Sequence, residues 1–337
     1  MKVDGMVHGT FEEIAAQAQR LERDGYDGAA TAETGHDPFL PLAAAAGVTK
    51  TLELGTSIAV AFARTPMTLA ATANDLHFAT NGRFTLGLGS QIKPHIERRF
   101  SMPWSHPAPR MREFILALRA IWHSWNTGEK LDFRGEFYTH TLMTPFFSPG
   151  PNPHGAPKVT LAAVGDKMTE VAGEVADGII LHPFTTAEYV HAVTIPALER
   201  GFERGAKNRA DFEIAYPVFV VTGTDDESWE KARTGTKRQI AFYGSTPGYR
   251  GVLEQHGWGD IGDEMNKLSK KGEWVAMGDL VTDDMLETFA IVAAPGDVAA
   301  GIADRWGGTV DRIAFDAPYE HDTTLWPSVI ADLKRRA

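Results

Sequence analysis

The sequence contains no cysteine among its 337 residues. This absence excludes disulfide bonds, thiolate metal sites and a cysteine nucleophile. Long hydrophobic runs are also missing, because no stretch approaches the about 20 apolar residues that a transmembrane helix needs. The start of the chain, MKVDGMVHGT, lacks the apolar run of a signal peptide. We therefore expect a soluble, cytoplasmic protein with no membrane partner.

Positive charge is in short supply. Lysine and arginine number 33 against 44 acidic residues, which gives a formal net charge of −11. A net acidic protein has no general electrostatic reason to bind nucleic acid, so we expect no nucleic-acid partner. The 43% share of hydrophobic residues is ample for a large core, and we predict a single domain over residues 1–337.

Several signatures of catalysis are missing as well. The histidines are scattered without His-x-His or His-Glu-x-x-His spacing, so we predict no metal site. There is no Gly-x-Ser-x-Gly elbow and no Walker loop. Gly87 and Gly89 do not form a dinucleotide-binding fingerprint, because Ile92 occupies the place of its third glycine. These absences exclude the commonest hydrolase and nucleotide-binding motifs.

Short apolar runs alternate with helical patterns along the whole chain. This alternation predicts a parallel sheet with helices outside, and eight such units predict a closed (β/α)₈ TIM barrel. The predicted strands are Val3–Val7, Gly28–Ala32, Leu52–Ala59, Arg83–Gly89, Lys158–Ala163, Gly178–Leu181, Phe212–Val221 and Val310–Phe315.

Helix signals support this interpretation. Thr10 and Glu13 have the spacing of a capping box, and the helix that they begin is predicted to end near Asp24-Gly25. The chain exceeds the about 250 residues typical of the barrel. The surplus forms predicted insertions after strand 4, before strand 5 and after strand 7: Gln91–Ala108, Thr127–Pro157 and Gly244–Met285.

In such a barrel, chemistry lies at the carboxyl ends of the strands. The second strand leads into Glu33, His36 and Asp37, where Asp37 is either a helix cap or a functional acid. Glu33 is the residue nearest the barrel mouth, which favours a functional role. His182 follows the sixth strand and is either a hydrogen-bonded structural histidine or a catalytic one.

The fifth strand leads into Val164-Gly165-Asp166-Lys167. A helix that begins there offers free N–H groups to an anion, and Lys167 adds positive charge. The alternative is an ordinary glycine turn.

Several segments together resemble one known family. The stretch Gly55-Thr56-Ser57-Ile58, the stretch ARTPMTLA (residues 63–70) and the stretch GRFTLGLG (residues 82–89) are similar to the bacterial luciferase-like superfamily of flavin and deazaflavin enzymes. RMREFILALRAIW (110–122) and EVADG (174–178) extend the resemblance over most of the chain. The sequence is most similar to the branch that uses coenzyme F420, a 5-deazaflavin.

The resemblance implies a TIM barrel that holds the cofactor ring in its mouth, and a homodimer as the family habit. It also implies a non-proline cis peptide between Ser57 and Ile58, in a bulge against the ring. The cofactor-binding residues that it implies lie after strands three, four and five: Ser57, Ile58, Ala59, Gly89, Ser90, Gln91, Ala163, Val164, Gly165, Asp166, Lys167 and Met168.

The sequence also departs from the family's sugar-phosphate dehydrogenases. These carry Asp-His at the end of strand two and an acid after the strand-four glycines, where this chain has Glu33-Thr34 and Ile92. The lost histidine can be supplied only by His36, two residues on. These differences argue against sugar-phosphate oxidation, and they leave Glu33, His36 and His182 as catalytic candidates for proton transfer.

We therefore expect an oxidoreductase that transfers hydride between coenzyme F420 and a small organic substrate, either an alcohol/carbonyl pair or an activated double bond. The alternatives are a monooxygenase that uses reduced FMN and a non-catalytic flavin-binding protein. The cluster QIKPHIERRF (91–100) is either a basic rim for the anionic cofactor tail or a solvated helix face. The aromatic residues Trp104, Phe146 and Phe147 are either a substrate wall or simple packing.

Overall fold

The computed structural model describes residues 1–336, and Ala337, the last residue of the predicted domain, lies outside the described residues. Its strands are short, as is usual when each is followed by a helix. They are β1 Lys2–Met6, β2 Gly28–Thr31, β3 Glu53–Thr56, β4 Ala59–Val60, β5 Phe84–Gly89, β6 Phe133–Arg134, β7 Thr139–His140, β8 Lys158–Ala162, β9 Gly178–Ile180, β10 Glu213–Val221, β11 Ala290–Val292 and β12 Arg312–Asp316.

The helices follow the strands in the expected order. They are α1 Phe11–Arg23, α2 Leu40–Ala46, α3 Pro66–Ala79, α4 Pro107–Thr127, α5 Asp166–Val175, α6 Ala187–Tyr189, α7 Ile195–Gly205, α8 Asp226–Gly244, α9 Arg250–Gln255, α10 Gly259–Lys271, α11 Trp274–Asp279, α12 Asp283–Phe289, α13 Val298–Trp306 and α14 Trp326–Arg336. In the described chain, no helix is both long and apolar enough to span a bilayer.

The sheet is a closed eight-strand parallel barrel in the order β1-β2-β3-β5-β8-β9-β10-β12, which confirms the predicted TIM barrel. β4 continues the third barrel strand beside β5, and β11 is added to the end of β10. A separate antiparallel pair, β6 and β7, lies in the predicted insertion before strand five. Parallel strands that are covered by helices read as continuous apolar runs, which is why the alternation was visible in the sequence.

The described chain divides into two compact units. The first unit contains residues 4–180 and 197–213. The second unit contains residues 1–3, 181–196 and the chain from Ile214 onward. The single domain predicted for residues 1–337 stays a prediction.

The ends of helix α1 in the first unit agree with the predictions from the sequence. Thr10 and Glu13 form the predicted capping box, and Gly25 follows the end of α1 with a φ of 85°. Near that end, one oxygen of Glu22 accepts the N–H groups of residues 50–52 and the Thr51 hydroxyl. Burial opposes the charge of Glu22, but these hydrogen bonds outweigh it and lower its pKa to about 2. Glu22 thereby ties α1 to the turn before β3.

The core of the second unit includes the predicted insertion after strand seven. Residues 244–285 form helices α9 to α11 and the start of α12, and they bury Val252, Leu253, Met265 and Met277. The Phe184 and Phe289 rings stack beneath them with centroids 4.6 Å apart. The predicted insertion after strand seven therefore forms helices that bury apolar side chains in the core of the second unit.

Candidate functional site

The third barrel strand, predicted as one piece over residues 52–59, is interrupted. β3 pairs with β5 up to Gly55 opposite Thr85, and β4 resumes with Ala59 opposite Leu88, so this strand advances one residue more than its neighbour. One extra residue in a ladder is a β-bulge. The peptide bond between Ser57 and Ile58 within it is cis, as the resemblance implied.

The bulge is tied to the neighbouring strand β2. The Ser57 N–H donates to the Thr31 carbonyl over 2.6 Å, and the Glu33 N–H donates to the Ile58 carbonyl over 3.1 Å. Ser57 and Ile58 remain only half-buried, whereas Ala59 is fully buried. The bulge is therefore held on its backbone side, and its two central side chains remain partly open to a ligand.

On the other side, the bulge lies against the glycines of β5. A Cβ added to Gly87 would lie 1.8 Å from the Thr56 carbonyl oxygen, and one added to Gly89 would lie 2.7 Å from Ile58 Cδ1. The Thr56 hydroxyl also donates to the Gly87 carbonyl and accepts from the Gly87 N–H, over 2.6 and 2.9 Å. Strand contact therefore requires glycine at position 87, whereas a side chain at position 89 would require the Ile58 side chain to move. The cofactor role of Gly89 stays a prediction.

Glu33 lies at the end of β2 and fixes the exit of the bulge. Its Oε2 accepts the Val60 N–H over 2.7 Å and the Arg64 guanidinium over 2.6 Å. The Glu33 side chain is 6% exposed and that of Arg64 is 20% exposed. Among the described residues, Oε1 of Glu33 has no hydrogen-bond partner, so one oxygen remains for a ligand or a proton.

The loop after Glu33 has mixed roles. Asp37 Oδ1 accepts the N–H groups of Phe39 and Leu40 at the start of α2, whose N-cap residue is Phe39, and its other oxygen pairs with Arg64 over 3.2 Å. The two predicted alternatives for Asp37, a helix cap and a functional acid, stay predictions. His36 is exposed on the same loop. The structure brings His36 and Glu33 together only as neighbours in one loop.

The segment after β5 contains the remaining strand-four candidates. Ser90 and Gln91 are half-buried, and Gln91 has a left-handed φ of 59°. In the predicted basic rim, Lys93 pairs with Glu97 over 3.8 Å, and Arg99 donates to the Thr34 carbonyl. The rim residues that remain available to an anion are His95 and Arg98, which are exposed.

Helix α5 begins at the end of β8. Gly165 is its N-cap with a φ of −90° and no side-chain cap, and open space surrounds the position of a Cβ there. Gly165 and Lys167 are exposed, Val164 and Met168 are half-buried, and Ala163 is buried. Helix geometry leaves the first N–H groups of α5 without intrahelical acceptors, which is the donor set that binds phosphate.

One of the predicted cofactor-binding residues, Asp166, adds negative charge near the start of α5 and is therefore unfavourable to an anion there. The Asp166 carboxylate is exposed in the first turn of α5, where it forms an ion pair with Arg200. Arg200 also pairs with Glu170 over 2.6 Å. This pairing partly offsets the charge of Asp166.

The predicted aromatic wall separates into two parts. The Trp104 ring packs edge-on against buried Phe62 with centroids 5.8 Å apart, and it belongs to the packing of the segment after β5. Phe146 and Phe147 are 89% and 73% exposed and contact each other, with ring centroids 5.2 Å apart.

His182 lies in the second unit, in an aromatic setting. Its Nδ1 accepts the Phe184 N–H over 3.1 Å, and its ring lies 4.6 Å from Tyr243 and 4.3 Å from Tyr249. Burial lowers the pKa of His182 to about 4, so the ring is neutral at pH 7. Because Nδ1 is the hydrogen-bond acceptor, the neutral ring carries its hydrogen on Nε2, which can donate a hydrogen bond to a ligand.

One titratable residue of the second unit was not predicted. Asp316 is the last residue of β12, and burial raises its pKa to about 6. Asp316 also contributes to the raised pKa of Tyr243, after the larger effect of burial on that hydroxyl. An acid at a strand end carries no sequence signal of its burial, so sequence reasoning missed it.

The bulge, the half-buried polar residues and the free helix start follow the adjacent strands β3, β5 and β8 of a parallel eight-strand barrel. This arrangement is that of a TIM-barrel enzyme. The family follows from sequence: residues 2–312 match the model of the luciferase-like monooxygenases, and the chain belongs to this family. The resemblance is thereby confirmed, and membership makes the chain an oxidoreductase.

Individual proteins of similar sequence or fold add detail to the family match. An uncharacterized protein of Mycobacterium tuberculosis is 55% identical over 313 residues, which cover 93% of this chain and 92% of that protein. The 5,10-methylenetetrahydromethanopterin reductase of Archaeoglobus fulgidus is 27% identical over 282 residues, covering 81% of this chain and 79% of the reductase. The solved coenzyme F420-dependent tetrahydromethanopterin reductase of Methanopyrus kandleri has the same fold, with a TM-score of 0.76, 19% identity, and coverage of 100% and 97%.

Proposed function

We propose that this chain is a coenzyme F420-dependent oxidoreductase that transfers hydride to or from a small organic substrate. The observation that carries the proposal is the bulge at Ser57-Ile58, which lies in the same unit as the free start of α5. Two reductases of similar sequence or fold, one of them named for coenzyme F420, support the choice of cofactor.

The residues at these strand ends fit a flat ring that carries a phosphate. Ala32, Ser57, Ser90 and Ala163 follow or end successive strands, and their small side chains leave the backbone accessible to a planar group. The N–H groups at the start of α5 would hold the phosphate, with Lys167 beside them. The exposed cations His95 and Arg98 would attract an anionic tail on a protein of net charge −11.

When bound, the deazaflavin supplies a carbon that accepts or gives up hydride. The protein orients the substrate and moves the accompanying proton. Glu33 is our first candidate because its Oε1 is free while its other oxygen holds Arg64. His36 is exposed, and the neutral His182, whose Nδ1 accepts the Phe184 N–H, can donate a hydrogen bond to the substrate from Nε2.

The second candidate function is a monooxygenase that uses reduced FMN and oxygen. The name of the matching family favours it. The same strand ends would also accept FMN, because they fit a flat ring with a phosphate. They do not distinguish the one ring atom by which a flavin differs from a deazaflavin. FMN lacks the long anionic tail, so His95 and Arg98 would have no role in its binding.

Cofactor binding separates these functions. We expect calorimetry to show tight binding of coenzyme F420, weaker binding of FMN, and a loss of at least about tenfold for the deazaflavin riboside that lacks phosphate and tail. Oxygen uptake with reduced FMN would support the monooxygenase instead. Binding without turnover of secondary alcohols, ketones or enones would indicate a binding protein. Failure of both cofactors to bind would contradict the assignment.

A further inference from the structure

The second unit contains a cavity that the proposed function does not use. Its volume is about 420 Å³. Its walls include Arg238 and Phe242 from α8, Trp274 and Val275 from α11, and Pro318 after β12. Small-molecule sites have volumes of this order, about 300–1,000 Å³.

The walls expose an unusual amount of apolar surface. Phe242 is 50% exposed, Trp274 is 52% exposed and Val275 is 62% exposed, although each could have been turned inward or replaced by a polar residue. The centroids of the Phe242 and Trp274 rings lie 6.3 Å apart at an angle of 47°, so the two rings contact each other and form one apolar wall. Contiguous exposed apolar side chains around a concavity mark a binding site more often than chance exposure.

A cation without a counterion lies at the rim. Arg238 is exposed, and it forms no ion pair with any residue of the described chain. The nearest basic residues on α8 differ, because Arg233 and Lys237 both pair with Asp283 over 2.6 and 2.7 Å. The stem of Arg238 is supported by α11, since a Cβ added to Gly278 would lie 3.1 Å from its Cγ. The guanidinium is therefore supported at the rim and available to an anion.

We propose that this cavity binds a small amphipathic carboxylate, with the carboxylate on Arg238 and a flat apolar body against the exposed surfaces of Phe242 and Trp274. A guanidinium recognises a carboxylate through two parallel hydrogen bonds, and aromatic rings bind a flat body by stacking. Charge complementarity indicates the class of ligand, because the guanidinium of Arg238 is exposed beside this apolar wall and forms no ion pair within the described chain. This site is independent of the cofactor assignment.

The test compares two probes of equal shape, 2-naphthoate and the neutral 2-naphthalenemethanol. Calorimetry should show that the wild-type protein prefers the acid, and Arg238→Gln should weaken the acid about three- to tenfold while leaving the alcohol unchanged. Arg23→Gln, an exposed arginine on α1 of the first unit, is the matched control and should change neither affinity. Equal binding of acid and alcohol by the wild type would overturn the proposal.

Further measurements locate the probe and exclude the other occupants. Trp274→Ala should weaken both probes about two- to tenfold, as expected for loss of one aromatic contact. Saturation with coenzyme F420 or FMN should leave naphthoate affinity unchanged, and competition would place the probe elsewhere and overturn the proposal. If Trp274→Ala instead converts a dimer to a monomer in sedimentation, a second copy covers the surface and the proposal is wrong.

Discussion

At the scale of single residues, Gly165 is the position where the phosphate prediction is sharpest. Its φ of −90° is open to any L-residue, and nothing lies within 4 Å of where a Cβ would stand. Glycine is therefore not required there by the fold. A side chain at this position would instead point a new group into the space before the first N–H groups of α5.

We expect Gly165→Asp to weaken coenzyme F420 binding at least about tenfold, because a carboxylate close to the phosphate adds repulsion of about 1–4 kcal/mol. Gly165→Asn is the matched control, with equal size and no charge, and should retain most of the affinity. Asp and Asn are both good N-caps, so thermal unfolding should show no loss of stability. Equal affinities of all three proteins would place the phosphate elsewhere.

At the scale of elements, the bulge after β3 is held by side chains from the end of β2. The pair of Glu33 and Arg64 is largely buried, whereas Asp37, which pairs with the same arginine, is 40% exposed. Buried charge pairs cost much when one partner is lost, and exposed pairs cost little. Glu33 should therefore contribute more to stability than Asp37, although both acids pair with Arg64.

We expect Glu33→Gln to lower the free energy of unfolding by about 1–3 kcal/mol, because Arg64 loses its buried counterion. Asp37→Asn, which keeps the helix cap, should cost less than about 1 kcal/mol. Urea unfolding at pH 7 measures both. In a double-mutant cycle, Glu33→Gln and Arg64→Gln should be less than additive, and full additivity would show that the pair does not hold the bulge.

Sequence reasoning reached some of these elements for physical reasons. The hydrogen bonds that Asp37 accepts from Phe39 and Leu40 depend on neighbouring residues, so the sequence pattern could indicate them as one of two alternatives. The break in the third strand was not predicted from the apolar pattern, because residues 54–59 are uniformly small or apolar; only the family resemblance pointed to the cis bond. The partnership of Glu33 with Arg64 joins residues far apart in the chain and left no local signal.

At the scale of the whole molecule, the barrel was predictable because strand and helix alternate with buried, apolar strands. The short strand β11 was missed, since three residues after a helical insertion carry too little pattern. The burial of Asp316 could not be inferred either, because a carboxylate at a strand end looks like any polar loop residue. Burial of titratable groups is a property of the assembled fold, and it appears in the pH dependence of stability.

The second unit contains two buried groups with opposite effects on that dependence. His182 has a pKa of about 4, below its ordinary 6.5, so the unfolded chain binds the proton first and stability falls as the pH drops from 6.5 to 4. Asp316 has a pKa of about 6, above its ordinary 3.8. Below pH 3.8 the carboxyl is protonated in both the folded and the unfolded chain and does not affect stability. As the pH rises from 3.8 to 6, the unfolded chain releases the proton first and stability falls. Each effect is on the order of 3 kcal/mol, and between pH 4 and 6 they oppose each other.

Asp316→Asn should therefore stabilise the protein by about 1–3 kcal/mol at pH 8 and by nothing measurable below pH 4. Between pH 4 and 6 the variant should lose stability on acidification more steeply than the wild type, because His182 then acts unopposed. Urea unfolding across this range measures the difference. Asp304→Asn, on the exposed side of α13, is the control and should differ from the wild type by less than about 0.5 kcal/mol at every pH. A gain independent of pH would rule out deprotonation of Asp316 as its source.

The contact between Gly87 and Thr56 determines where this barrel can be engineered. A single added methyl group at Gly87 would overlap the backbone carbonyl of Thr56, so mutant libraries that randomise this position should yield mostly destabilised members. At Gly89 a methyl group would displace only the Ile58 side chain, so some substitutions should be accommodated there. Ser90, one residue further along, is half-buried and has no left-handed backbone, whereas Gln91 has a left-handed φ of 59° that limits the choice of side chains. Reshaping of the proposed substrate site should therefore start at residue 90.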